Sequence, residues 1–320
     1  MDQAHITRIA AQVHLVEGCG NFFLKSEHLK ISIRTEPVTL PLSIASRRAR
    51  VEQELRVEQH RKHAVSSTWN SNSLVALCGY KTICAGKDEN FRLEVDTAPV
   101  DYATFVATVL SLDKEFLRPD GILTTLRREF LAQDILENPA ILHPVPFLAN
   151  GLGVVLVAFT GDNKILLGRR GLAVKARGGE RDVTVVEGMH AQLDRTTRNA
   201  LSVHATAVRG CQEELGIEVH AEDVRLLGLA VDMKFYQWSF LGFIDLRQSA
   251  REVHEAHKSH AKDRWEAALE SVELAPETVF DRVRSDGIWD LGLAAIYSAL
   301  CYKCGSVPVH KAAERVFAKK

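Results

Sequence analysis

Arg209, Glu213 and Glu214 stand in the run AVRGCQEELGI, residues 207–217. On a helix, Arg209 and Glu213 are four apart, as are Gly210 and Glu214, so each pair shares a face. Ala207, Val208, Cys211 and Leu215 supply the apolar side that docks on a sheet. Gly216 lies where a left-handed residue closes a helix. Two neighbouring carboxylates at a helix C-terminus oppose the macrodipole unless a cation compensates. The chemistry this suggests is a grip on a divalent cation by Glu213 and Glu214, weighed against a plain solvated surface pair.

The elements around this helix decide whether the carboxylates can act. LGVVLVAFT and KILLGRR are apolar runs split by the turn GDN, which predicts a hairpin. RDVTVVEG predicts a strand ending at Gly188. The polar stretch MHAQLDRTTRNAL follows, then the helix, then the strand patterns VRLLGLAVDM and YQWSFLGFIDL. REVHEAHKSHAKDRWEAALESVEL predicts a helix or a long loop, and DLGLAAIYSALCYK an apolar helix packed on the sheet. Strands and helices mixed in this way imply an α/β sandwich.

A hairpin, a strand ending in glycine, a loop and then R-x-U-x-E-E-x-G-U (U apolar) resemble the Nudix hydrolase family. Its signature is G-x5-E-x7-R-E-U-x-E-E-x-G-U. Gly188 and Asp194 match the opening G-x5-E, with Asp for Glu. Arg209, Cys211, Glu213, Glu214, Gly216 and Ile217 then fall in register. The resemblance covers about residues 150–300. Arg209 follows Asp194 by fifteen positions where the family has eight, so an insertion around RTTRNAL is expected. Gly210 replaces the glutamate that follows the arginine. A glycine inside a helix costs about 1 kcal/mol relative to Ala, so a lost carboxylate and some lost rigidity are both expected.

The resemblance implies hydrolysis of a nucleoside diphosphate linked to another moiety. Mg²⁺ or Mn²⁺ ions held by carboxylates would neutralise the phosphates and activate water. It makes Arg209, Glu213, Glu214 and Glu266 the catalytic set, with Glu213, Glu214 and Glu266 the metal ligands and Glu255 the next choice for the distant carboxylate. Arg209 would anchor the motif loop by ion pairing. Arg169, Arg170 and Gly188 are the substrate-binding candidates. Glu187, His190, Asp194 and Glu266 all qualify as the base, and spacing does not choose among them. The irregular box and the segment DTAPVDYATFVATVLSLD also resemble a divergent Nudix group that includes a UDP-glucose and UDP-galactose hydrolase. That favours a nucleotide sugar, with ADP-ribose and dinucleotides also open. Gly210 keeps a rival open: a Nudix-fold module that binds a nucleotide or a partner without turnover.

The first half carries no chemistry that can be named. LKISIRT, SLVALCGYKTICAG and FRLEVDTA predict strands. SIASRRARVEQELRVEQHRKHA predicts a solvated helix, and DYATFVATVLSLDKEFL and GILTTLRREFLAQDILEN predict two more. NPAILHPVPFLANG, with three prolines, reads as a linker. The expected division is an α+β N-terminal domain at 1–145 and a Nudix-like domain at 146–320. The first could cap the pocket, build a homodimer interface or contact a partner.

Bulk numbers set the outer bounds. In 320 residues, 40 basic and 41 acidic side chains leave a net charge of -1, so no overall field steers the chain to nucleic acid or anionic lipid. No apolar run approaches the roughly 20 residues that span a bilayer, and the start lacks a secretory pattern. Six scattered cysteines suit reduced thiols in a cytoplasmic protein, with Cys301 and Cys304 as thiols at a helix end. His254, His257 and His260 could bind a transition metal on a helix, and read more plainly as polar loop histidines.

Overall fold

Seven consecutive buried residues, GVVLVAF, form the strand at the centre of the main sheet. A run apolar on both faces must be covered on both. A computed structural model of the chain describes residues 3–18, 23–62, 73–85, 90–118, 120–131, 141, 143–172, 177–196, 200–262 and 267–317. In chain order its elements are α1 (Gln3–Ile9), β1 (Val13–Gly18), β2 (Leu29–Ile33), α2 (Leu42–Lys62), β3 (Leu74–Ala85), β4 (Asn90–Val100) and α3 (Tyr102–Ala107). Next come β5 (Phe116–Leu117), β6 (Leu123–Thr124), α4 (Leu126–Phe130), β7 (Gly153–Phe159), β8 (Lys164–Arg170), β9 (Arg181–Asp182), β10 (Val185–Gly188) and α5 (Val203–Gly210). β11 (Val224–Asp232), β12 (Gln237–Asp245), α6 (Ala250–His260), β13 (Ala267–Glu273), α7 (Pro276–Asp286), α8 (Asp290–Cys304) and α9 (Ser306–Phe317) complete the chain.

The main sheet has the order β1–β11–β12–β7–β8–β13, with β10 also paired to β7 and β9 to β8. β12 and β7 run parallel, while β7 meets both β8 and β10 antiparallel. A second sheet, β2–β4–β3, is mixed as well. The chain is mixed α/β. Alternation along β7 sends Val154, Leu156 and Ala158 to a core shared with Ala207, Cys211 and Leu215. Val155, Val157 and Phe159 enter the opposite core, with Leu291, Ala294 and Ala295 of α8. The motif helix and the apolar helix α8 therefore cover opposite faces.

The stretch RDVTVVEG forms two strands rather than one, because Thr184 interrupts it. Its hydroxyl donates to the Leu166 carbonyl and accepts from the Ala158 N–H, where β7 and β8 part. β9 therefore follows β8, and β10 follows β7 down to Gly188.

Residues before 146 are closely joined to this sheet. β1 pairs with β11 at its edge, and Ile31, Val75, Leu77 and Leu93 share the core of the motif helix. The expected helix over 101–117 is cut short at Ala107. Thr108 folds its hydroxyl back onto the Thr104 carbonyl, and the Asn150 side chain donates to it. The expected helix over 121–138 starts only at Leu126, because Thr125 is its N-cap. Residues 132–140 lie outside the described part. No helix among the described residues is long and apolar enough to cross a membrane.

Asp232 ends β11 with no exposure. The Trp289 indole N–H and the Lys234 backbone N–H both donate to its carboxylate. Burial nonetheless pushes its pKa up to about 6. The folded chain thus holds this proton more tightly than the unfolded one. The stabilisation is full below about pH 4 and is lost as pH rises through about 6. Asp232→Asn is expected to remove roughly 3 kcal/mol of that pH-dependent change, read from urea unfolding between pH 3 and 7. An unaltered slope would show that Asp232 does not cause it.

Candidate functional site

Ser202 starts the motif helix by accepting the Ala205 N–H, a side-chain N-cap. The helix widens to a π turn over Cys211–Leu215, and Gly216 closes it at φ +70°. Gly216 is required there: a Cβ would lie 2.7 Å from the Ala261 nitrogen and 2.8 Å from the Ala256 carbonyl oxygen of the end of α6. This packing sets α6 beside the two glutamates.

Arg209 is the centre of the site. Its Nε and Nη2 donate to the two Asp194 oxygens at 2.8 and 2.9 Å. Nη2 also reaches the Gly188 carbonyl at 2.7 Å, while Nη1 lies 3.0 Å from Glu213 and 2.9 Å from Glu187. Burial opposes the charge on this guanidinium, but the Asp194 hydrogen bonds and the Glu187 charge raise its pKa above the ordinary arginine value. Asp194 is 1% exposed and also accepts the His190 N–H and the Thr206 hydroxyl. Lys262 binds the other Glu213 oxygen at 2.8 Å. Glu214 accepts the Val186 N–H at 3.0 Å, which ties the π turn to β10.

The glycine at 210 has a steric cause. A Cβ there would lie 2.8 Å from both Glu187 Cβ and Val185 Cγ1. The helix rests directly on β10, and the Glu187 side chain fills the adjoining space. What sequence reasoning treats as a lost carboxylate is, in three dimensions, close contact with another one. Burial pushes Glu187 up to about 7, with Arg209 pulling it down and Glu213 and Asp194 adding to the rise. His190 is shifted the other way, first by burial and then by Arg209.

Arg169 and Arg170, at the end of β8, line a cleft of about 770 Å³. Its other wall is α6, through His254, His257 and Lys258. The histidines of REVHEAHKSH are therefore helical and not loop residues, and His257 is buried. Its Nδ1 donates to the Glu214 carbonyl at 2.8 Å, connecting the cleft wall to the π turn. Glu255 is not brought to the site: its side chain is 66% exposed and pairs with Arg251. Glu266 lies outside the described residues. Lys262 was missed because a lysine in a polar loop carries no spacing signal.

Mg²⁺ and Mn²⁺ favour hard oxygen donors with open coordination positions. Glu213 and Glu214 are donors of that kind, but both Glu213 oxygens are bonded to cations and Glu214 holds a backbone N–H. Glu187, Asp194 and Glu213 meet at the Arg209 guanidinium. Among the described residues no group of three or more His, Cys, Asp and Glu side chains is placed to hold a metal ion. The described arrangement does not fit the ion as it stands.

No protein-family model matches the chain. No curated protein matches it either. Among solved structures, the Deinococcus radiodurans protein DR0079 is similar at 16% identity, over 57% of this chain and 97% of that one, with a TM-score of 0.33. A MutT/nudix family protein from Enterococcus faecalis is similar at 11% identity, over 51% of this chain and 78% of that one, with a TM-score of 0.25.

Proposed function

We propose that this chain hydrolyses a nucleoside diphosphate linked to another moiety, a nucleotide sugar before ADP-ribose or a dinucleotide. In this reading residues 146–320 form a Nudix-type α/β/α unit, 1–145 precede it, and β1 completes its sheet. One observation carries the proposal: Arg209 gathers Gly188, Asp194, Glu187 and Glu213 at the end of one helix. All but Glu187 belong to the matched motif. Basic side chains line the adjoining cleft, and they would offset the charge on the non-bridging phosphate oxygens. Glu187, poised near neutrality by burial, is the group proposed to take a proton from water. Mg²⁺ or Mn²⁺ is the proposed cofactor. Binding one would require Glu213 to exchange its Arg209 and Lys262 partners for the ion.

The second reading, a nucleotide-binding module without turnover, is favoured by Gly210 and by the commitment of Glu213 to two cations. A phosphate-release assay over UDP-sugars, ADP-ribose and dinucleotides, with Mg²⁺ or Mn²⁺, separates the two. The hydrolase reading predicts release that falls at least a hundredfold, about 2.7 kcal/mol of barrier, in Glu213→Gln/Glu214→Gln. Binding without release supports the module. Release that survives the double substitution would remove these glutamates from the site.

A further inference from the structure

We propose that His254 and Lys258 of α6, in a cleft that Arg169 and Arg170 also line, form a phosphate-binding wall for a nucleoside diphosphate ligand.

The pattern His254, His257, Lys258 has the spacing i, i+3, i+4, which puts the three side chains on one helical face. α6 is held at both ends, so this face is presented rigidly. At its start, Ser249 and Glu252 form a reciprocal capping box. At its finish, the His257 bond to the Glu214 carbonyl and the packing of Ala261 on Gly216 fix the helix against the π turn.

The walls are chemically one-sided. Arg169, Arg170, His254, His257 and Lys258 line the cleft, and no Asp or Glu is among the described residues that do, although behind the lining Arg170 lies 3.8 Å from the Asp182 carboxylate. The whole chain has a net charge of -1, so this is local enrichment and not a general basic surface. Arginine offers a planar fork matched to phosphate oxygens, and lysine a mobile point charge that follows a second phosphate. Gly171, Ala268 and Leu269 leave the rest of the lining small or apolar. A volume of about 770 Å³ lies in the range of small-molecule sites, roughly 300–1,000 Å³, and exceeds what a lone phosphate fills. The class that matches is a phosphate pair carrying a less polar group. His254 sits among cations: burial, then Lys258 and His257, hold its pKa below the ordinary histidine value. An incoming anion relieves that crowding.

The inference rests on the proposed function for its choice of nucleotide ligands, and it is tested apart from turnover. Calorimetry with pyrophosphate, UDP-glucose and ADP-ribose, in EDTA, measures binding alone. At least one of the nucleotides is expected to bind the wild type, more tightly than pyrophosphate does. His254→Ala/Lys258→Ala is expected to weaken that binding about tenfold or more, the scale of one or two charge-assisted hydrogen bonds. Glu255→Ala, on the exposed side of the same helix, is the control and should bind as the wild type does. Circular dichroism checks that both variants keep their helices. Unchanged affinity in the double variant overturns the proposal, as does a wild type that binds none of the three probes. Binding that depends on the wall without phosphate release in the metal-loaded assay leaves this inference standing and removes hydrolysis.

Discussion

Arg209→Ala is expected to destabilise the fold by about 3 kcal/mol, the lower end of the roughly 3–5 kcal/mol cost of breaking a buried ion pair. The guanidinium holds the two Asp194 oxygens, the Gly188 carbonyl, Glu187 and Glu213 at once. Its removal leaves three carboxylates facing one another, of which Asp194 is 1% exposed. The lower figure applies because the His190 N–H and the Thr206 hydroxyl still satisfy one Asp194 oxygen. Arg209→Lys should recover only part of the loss, since an ammonium cannot span both Asp194 oxygens and the Gly188 carbonyl in one plane. Urea unfolding at pH 7 gives the comparison. A loss below 1 kcal/mol for Arg209→Ala would mean that the carboxylates solvate themselves and that the clamp is incidental.

Much of this fold could be read from the sequence where one segment carries its own signal. The β7–β8 hairpin announces itself as two apolar runs around GDN, and Asn163 takes the left-handed turn conformation at φ 58°. The motif helix shows its apolar stripe and its closing glycine, while its Ser202 cap emerges only from the structure. What escaped depends on partners distant in the chain. β1 completes the main sheet only through β11. α7 and α9 were not anticipated either, although Val309, Ala312, Ala313 and Val316 of α9 fall at helical spacing on its buried face. His257 looks like any polar histidine until Gly216 draws α6 onto the π turn. Glu187 is the clearest case. In VVEG it occupies an ordinary strand position, and nothing local links it to residue 210.

That link leads to the second large effect. Gly210→Ala should stabilise an isolated helix by about 1 kcal/mol. In this fold it is expected to destabilise instead, by about 1–3 kcal/mol, the usual cost of overpacking. The added methyl would fall 2.8 Å from Glu187 Cβ, 2.8 Å from Val185 Cγ1 and 3.2 Å from Glu187 Cγ. Two of these contacts belong to one side chain, so Glu187→Gly should relieve much of the loss while the Val185 contact remains. A double-mutant cycle by urea unfolding would then show positions 187 and 210 coupled by more than 0.5 kcal/mol, beyond the additivity expected of independent sites. Additive losses, or a stabilising Gly210→Ala, would mean that β10 moves aside easily and that the glycine has no packing role. Coupling has a chemical consequence. The gap between β10 and the motif helix has room for one side chain, so a carboxylate can enter it from the strand or from the helix, not from both. Glu187→Gly/Gly210→Glu should therefore fold better than Gly210→Glu alone, because the swap removes the Glu187 atoms that the new side chain would strike.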